Sequence, residues 1–165
     1  MLGQYGDSYR ISINSEIIDY SYNQTNYYGI SGQYFITKNL SLNYSYLIGK
    51  NCNHEFAVHV PGAINLLVLS PPYPDYFLFV LLIPEGGSYH FYPNKNFETE
   101  FFLNPLGTDY NIMDNERFTL TGNLGVKAYA KYNNFSISPY AGIKYIYTDA
   151  TVRPIIGISI NTIIY

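Results

Sequence analysis

Residues 40–49 read LSLNYSYLIG, and alternate residues fall into two sets: Leu40, Leu42, Tyr44, Tyr46 and Ile48 against Ser41, Asn43, Ser45, Leu47 and Gly49. A β-strand sends successive side chains to opposite faces. The stretch is therefore a ribbon with one apolar, aromatic face and one face of mostly small polar residues. Whether the apolar face meets a protein core or lipid decides what kind of molecule this is.

The same alternation returns along the chain. Phe118, Leu120, Gly122, Leu124, Val126, Ala128, Ala130 and Tyr132 oppose Thr119, Thr121, Asn123, Gly125, Lys127, Tyr129 and Lys131. Phe135, Ile137, Pro139, Ala141, Ile143, Tyr145 and Tyr147 oppose Ser136, Ser138, Tyr140, Gly142, Lys144 and Ile146, and Ile156, Ile158, Ile160, Thr162 and Ile164 oppose Gly157, Ser159 and Asn161. No stretch sustains a helical period. The pattern predicts an all-β chain with strands over 9–21, 27–37, 39–50, 76–92, 96–109, 116–132, 135–148 and 152–165, forming one domain over 1–165. Tight turns are expected at Lys38–Asn39, Pro93–Lys95 and Asn133–Asn134, where Asn tolerates the positive φ of short hairpins. Longer links are expected at 21–26, 51–75, 111–116 and 149–151. Short and long links alternate, so an antiparallel up-and-down barrel would gather the short turns and both ends at one rim and the long loops at the other.

Composition narrows the function classes. Charged residues are 13% of the chain, about half of the roughly 25% usual in soluble globular proteins. Aromatics reach 18%, with 20 Tyr and no Trp. A net charge of -3 with only nine Lys and Arg leaves no clustered basic surface for phosphate, which excludes a nucleic-acid binder. The single cysteine, Cys52, has no internal partner, no Cys or His spacing suggests a zinc site, and no cofactor is implied. The longest apolar run, Phe77–Ile83, is far shorter than a membrane-spanning helix requires. The opening MLGQYGDSYR has neither the basic nor the apolar region of a signal peptide.

Three features turn the apolar faces toward lipid. The polar faces carry Ser, Thr, Asn and Gly, which suit a narrow lumen better than a solvated exterior. The expected strands are long enough for the ~9–11 residues a tilted strand needs to cross hydrocarbon. Tyr27, Tyr28, Tyr44, Tyr46, Tyr132, Tyr145, Tyr147 and Tyr165 cluster near strand ends, where amphipathic rings suit membrane interfaces. Leu40, Leu42, Tyr44, Tyr46, Leu120, Leu124, Val126, Ile137, Ile143, Ile158 and Ile160 are the expected lipid-facing residues. A soluble lipocalin-like barrel holding an apolar ligand is the inverted alternative.

The repeated pattern and the terminal GISINTIIY, which ends on an aromatic residue, resemble the eight-stranded outer-membrane β-barrels of the OmpA and OmpX class. The resemblance implies a bacterial outer-membrane location, outer-membrane lipid as surroundings, and the barrel-assembly machinery as a partner. Within it, 56–75 is unusually apolar for a surface loop. It is read as an interfacial helix near 62–69 or an extra hairpin that would raise the count to ten strands.

Charges on a narrow lumen face must pair. Glu98 and Glu100 on one strand and Lys127, Lys131 and Lys144 on two others are the expected lumen network, with a very small pore as its functional reading. In SYHFYPNKNFETE, 88–100, a loop at Pro93–Lys95 would set His90 opposite Glu98 and Ser88 opposite Glu100. A Ser, a His and a carboxylate could then act as a nucleophilic relay, the basis of an alternative reading as a lipid-modifying barrel enzyme. That group sits at the rim of short turns, the wrong end for outer-leaflet chemistry, so no catalytic residue is assigned. His54 and His59 read as ordinary loop residues, and NPLG, 104–107, as a turn or strand end.

Overall fold

The computed structural model describes residues 8–18, 24–51, 56–61, 83–111 and 118–164. Among these residues are nine strands: β1 (Tyr9–Ile18), β2 (Thr25–Thr37), β3 (Leu40–Asn51), β4 (Phe56–Pro61), β5 (Gly86–Phe91), β6 (Phe97–Asn111), β7 (Phe118–Tyr132), β8 (Phe135–Ile146) and β9 (Thr151–Ile164). All pair antiparallel, and β1 pairs with both β2 and β9, so the sheet closes on itself. Closure removes the free edge and satisfies backbone N–H and C=O groups within the wall, the condition for strands to cross hydrocarbon.

Nine strands make eight staves. β4 pairs with one half of β3, Leu47 opposite His59 and Lys50 opposite Phe56, while β5 pairs with the other half, Leu40 opposite Tyr89 and Asn43 opposite Gly86. On its far side β6 receives both strands. β4 and β5 are thus collinear halves of the fourth stave. Along β3 the rungs nearest the break are Leu47 opposite His59 and Asn43 opposite Gly86. Glu85 donates its N–H to the Asn43 carbonyl (2.9 Å) and accepts from Leu106 N–H (3.0 Å).

This corrects the fourth strand, expected as one run over 76–92. Its loop-side half is Phe56–Pro61, which the sequence pattern places in an apolar loop. Only 52–55 separate β3 from β4 in sequence, whereas 62–85 separate β4 from β5. The helix expected near 62–69 lies outside the described residues, as do Cys52 and His54. An apolar hexapeptide beside a longer apolar run carries no boundary signal, and only the pairing of β4 with β3 and β6 separates the two.

The tight turns at Lys38–Asn39 and Asn133–Asn134 are present. Asn133 has φ of 54°, and Thr37 Oγ1 accepts from Asn39 N–H (3.3 Å) and Leu40 N–H (3.1 Å). The third hairpin is wider than Pro93–Lys95. Its ladder stops at Phe91 opposite Thr99, and Asn94 Oδ1 closes the loop by accepting from Asn96 N–H (2.9 Å) and Phe97 N–H (3.0 Å). NPLG is neither turn nor strand end: it forms a bulge within β6, where pairing shifts between Asn104 and Gly107.

The apolar side faces outward. Leu124 and Ile158 are each 50% exposed, with Leu40, Tyr46, Leu120, Val126, Ile137, Ile143 and Ile160 also exposed on the outer wall. Leu42 and Tyr44 are half-buried there. Buried residues are mostly polar: Ser12, Asn14, Gln33, Asn43, Thr121, Ser138, Ser159 and Asn161 all point into the lumen. Among the described residues Ile18, Tyr27, Leu47, Tyr140 and Ile155 form an apolar cluster toward the loop rim, while Phe35 and Tyr129 are buried toward the turn rim. Polar inside and apolar outside is the arrangement of a transmembrane barrel, and the inverse of a soluble ligand-binding one.

Candidate functional site in the barrel lumen

Alternation along β1 sends Arg10, Asn14 and Glu16 inward, and alternation along β6 sends Glu98 and Glu100 toward them. Near the turn rim the Glu98 carboxylate takes Arg10 Nη2 at 2.8 Å and Lys131 Nζ at 2.6 Å through Oε2, and His90 Nδ1 at 2.7 Å through Oε1. The Arg10 guanidinium also lies over the rings of Phe35 (5.1 Å) and Tyr129 (4.3 Å). Cation, carboxylate and aromatic faces together plug this end.

Glu100 is held by neutral donors. Gln33 Nε2 (2.7 Å), Ser88 Oγ (2.6 Å) and the Tyr129 hydroxyl all donate to it. A carboxylate buried with several donors keeps its charge without a directly bonded cation.

A second charged group lies toward the loop rim. His59 presents Nδ1 to Asp109 Oδ1 at 2.6 Å and Nε2 to Glu85 Oε2 at 3.2 Å. Ionised carboxylates only accept, so both ring nitrogens donate and the ring is an imidazolium. Lys144 Nζ completes the group at 2.6 Å from Asp109 Oδ2, and Glu85 also accepts from Ser45 Oγ and from Asn104 Nδ2 (3.2 Å). His59 is therefore a fully enclosed wall residue, in contrast to the loop residue expected from sequence.

Of the residues anticipated for the lumen, Glu98 meets Lys131 directly, Lys144 pairs with Asp109, and Lys127 forms no ion pair among the described residues. Its ammonium instead lies 4.8 Å from the Tyr140 ring centre and 6.0 Å from that of Phe102. Arg10, Glu85, Asp109 and Glu16 were not anticipated. Arg10 and Glu16 were legible from period two in β1, whereas Glu85 and Asp109 depend on the broken stave and the bulge.

The anticipated relay is rearranged. The wider hairpin sets His90 opposite Glu100 and Ser88 opposite Phe102, correcting the register by two residues and so preserving the face. His90 still reaches Glu98 on the diagonal, while Ser88 donates to Glu100. The hydroxyl at His90 Nε2 is that of Ser41, at 2.8 Å. Ser41, His90 and Glu98 are linked in the order of a nucleophilic triad, yet all three are enclosed. None of them lines the lumen cavity, so a substrate has no approach to Ser41.

Between the two charged groups lies a cavity of about 60 Å³, lined by residues including Asn14, Glu16, Glu85, Glu100, Asn123 and Lys127. Among the described residues no group of three or more His, Cys, Asp or Glu could hold a metal ion.

No protein-family model matches the chain, and no curated protein matches it significantly. Solved structures do share its fold. The N-terminal β-barrel domain of Pseudomonas aeruginosa OprF superposes with a TM-score of 0.57 at 16% identity, over 94% of this chain and 98% of that one. Neisserial surface protein A (NspA) gives 0.52 at 12%, over 97% and 98%. A de novo designed transmembrane β-barrel gives 0.50 at 14%, over 95% and 97%. The closed eight-stave architecture is thus that of small transmembrane barrels.

Proposed function

We propose that the chain is a non-catalytic outer-membrane barrel whose wall is an anchor, whose lumen is closed, and whose loop rim makes contacts at the cell surface. The observation that carries this reading is the layered lumen. Arg10, Glu98, His90 and Lys131 block one end, His59, Asp109 and Lys144 block the other, and the space between holds only about 60 Å³. A wall with apolar residues outward and two ion-paired layers inside supports anchorage over transport. The resemblance to outer-membrane barrels further supports that location, with outer-membrane lipid around the wall and the barrel-assembly machinery acting during insertion.

The test is refolding from urea into lipid vesicles, read by circular dichroism and heat-dependent gel mobility, followed by conductance across a planar bilayer. A heat-modifiable β-structured band that forms only with lipid or detergent, together with an electrically silent wild type, is the expected result. Steady unitary conductance from the wild type would replace the anchor with a pore. A monomeric β fold in plain buffer would overturn the membrane reading itself.

A further inference from the structure

We propose that the lumen cavity is a binding site for one partly hydrated monovalent cation, held by Glu16, Asn14 and Asn123. Asn14 and Asn123 are 5% and 9% exposed, they line the cavity from β1 and β7, and their Oδ1 atoms have no hydrogen-bond partner among the described residues. Buried acceptors of this kind require a donor or a cation. The amide of Asn14 already donates to Ser31 Oγ at 2.7 Å, which fixes its oxygen as the unused atom.

The charge around the cavity is uneven. Glu85 is answered by the His59 imidazolium; Lys127, the one ammonium among the described residues of the cavity wall, is the cross-strand neighbour of Glu100 and serves for two carboxylates there, Glu100, held by three neutral donors, and Glu16. Among the described residues Glu16, also buried, meets only the Tyr140 hydroxyl, at 2.9 Å, although a carboxylate offers about four acceptor sites. Meanwhile Glu98 takes two cations, Arg10 and Lys131, at the turn rim. The middle of the lumen is left with one unanswered negative charge beside two unused carbonyl oxygens. Carboxylate, carbonyl and water oxygens form a hard-cation donor set. One net charge selects a monovalent ion over calcium or magnesium. The volume admits such an ion with a few waters, at roughly 10–15 Å³ for each water-sized occupant, and excludes an organic ligand.

The test uses the full chain folded in lipid vesicles. Its urea midpoint is measured in sodium or potassium chloride and in choline chloride at equal ionic strength. A saturable upward shift with the small cations, absent in Asn123→Leu, is expected. Equal midpoints in all three salts, or an undiminished shift in Asn123→Leu, would overturn the proposal. Wild-type crystals soaked in thallium(I) provide a readout that does not depend on the variant folding. An anomalous peak among Asn14, Glu16 and Asn123 supports the site, and water density alone refutes it.

Discussion

His59 and Glu85 belong to the two separate runs of chain that make up the fourth stave, and they meet inside the barrel with Nε2 3.2 Å from Oε2. The contact ties together positions 26 residues apart in sequence. With Asp109 and Lys144 on the other side of the ring, it also joins the stave to β6 and β8.

Replacing His59 by Leu leaves two buried carboxylates facing an apolar side chain. Removing one partner of a buried charge pair costs about 3–5 kcal/mol, and His59→Leu should lower vesicle-folded stability by that order in urea titrations. Adding Glu85→Gln removes one uncompensated charge. The double variant should cost less than the sum of the singles, the signature of residues in direct contact.

Gly107 sits at the bulge because the space above it is taken. A β-carbon there would lie 2.7 Å from His59 Cε1 and 2.8 Å from Thr121 Oγ1. Gly107→Ala should destabilise by about 1–3 kcal/mol, the usual range for overpacking. The same change in a His59→Ala background should be milder, as a double-mutant cycle on the urea midpoint would record.

Leu124 faces out and its neighbour Asn123 faces in. Leu124→Arg near the midplane should weaken insertion by about 2–4 kcal/mol while leaving the polar lumen intact. The measurement is the folded fraction in vesicles of increasing lipid content. A protein that folds equally well with and without the arginine would place this wall outside the membrane.

The enclosed Ser41 should behave as a structural hydroxyl. Ser41→Ala removes one hydrogen bond to His90 and should cost on the order of 1 kcal/mol. A fluorophosphonate probe should leave the folded wild type unlabelled by mass spectrometry. Modification at Ser41 would show that the triad is open to reagents and would revive a hydrolytic role.

Period two makes much of the barrel legible in the sequence. The quoted ribbon at 40–49 sorted its faces as observed, because in a narrow barrel each side of a strand has one environment over its whole length. Pairing between strands was less readable. The hairpin after His90 is wider than Pro93–Lys95 because the Asn94 side chain closes it, a local contact with no compositional mark. Ser41 was invisible as a partner of His90 for a related reason, since they meet only through the register of β3 with β5. His59 is misplaced by sequence because β4 is short and merges into an apolar stretch, and its partners Glu85 and Asp109 come from two other parts of the chain.

The interrupted stave also makes the seam between 61 and 85 a place where the chain can be shortened. Three β3 residues, 44–46, lie between the rungs Leu47–His59 and Asn43–Gly86, and Val60, Pro61 and Glu85 supply three, so joining 61 to 85 would write one run, FAVHVPEGGSYHF, that keeps both registers while alternation turns the Glu85 side chain outward. A gene lacking codons 62–84 should therefore still encode a closed barrel, and the same seam is a position where a foreign peptide could be carried out of the middle of a membrane wall.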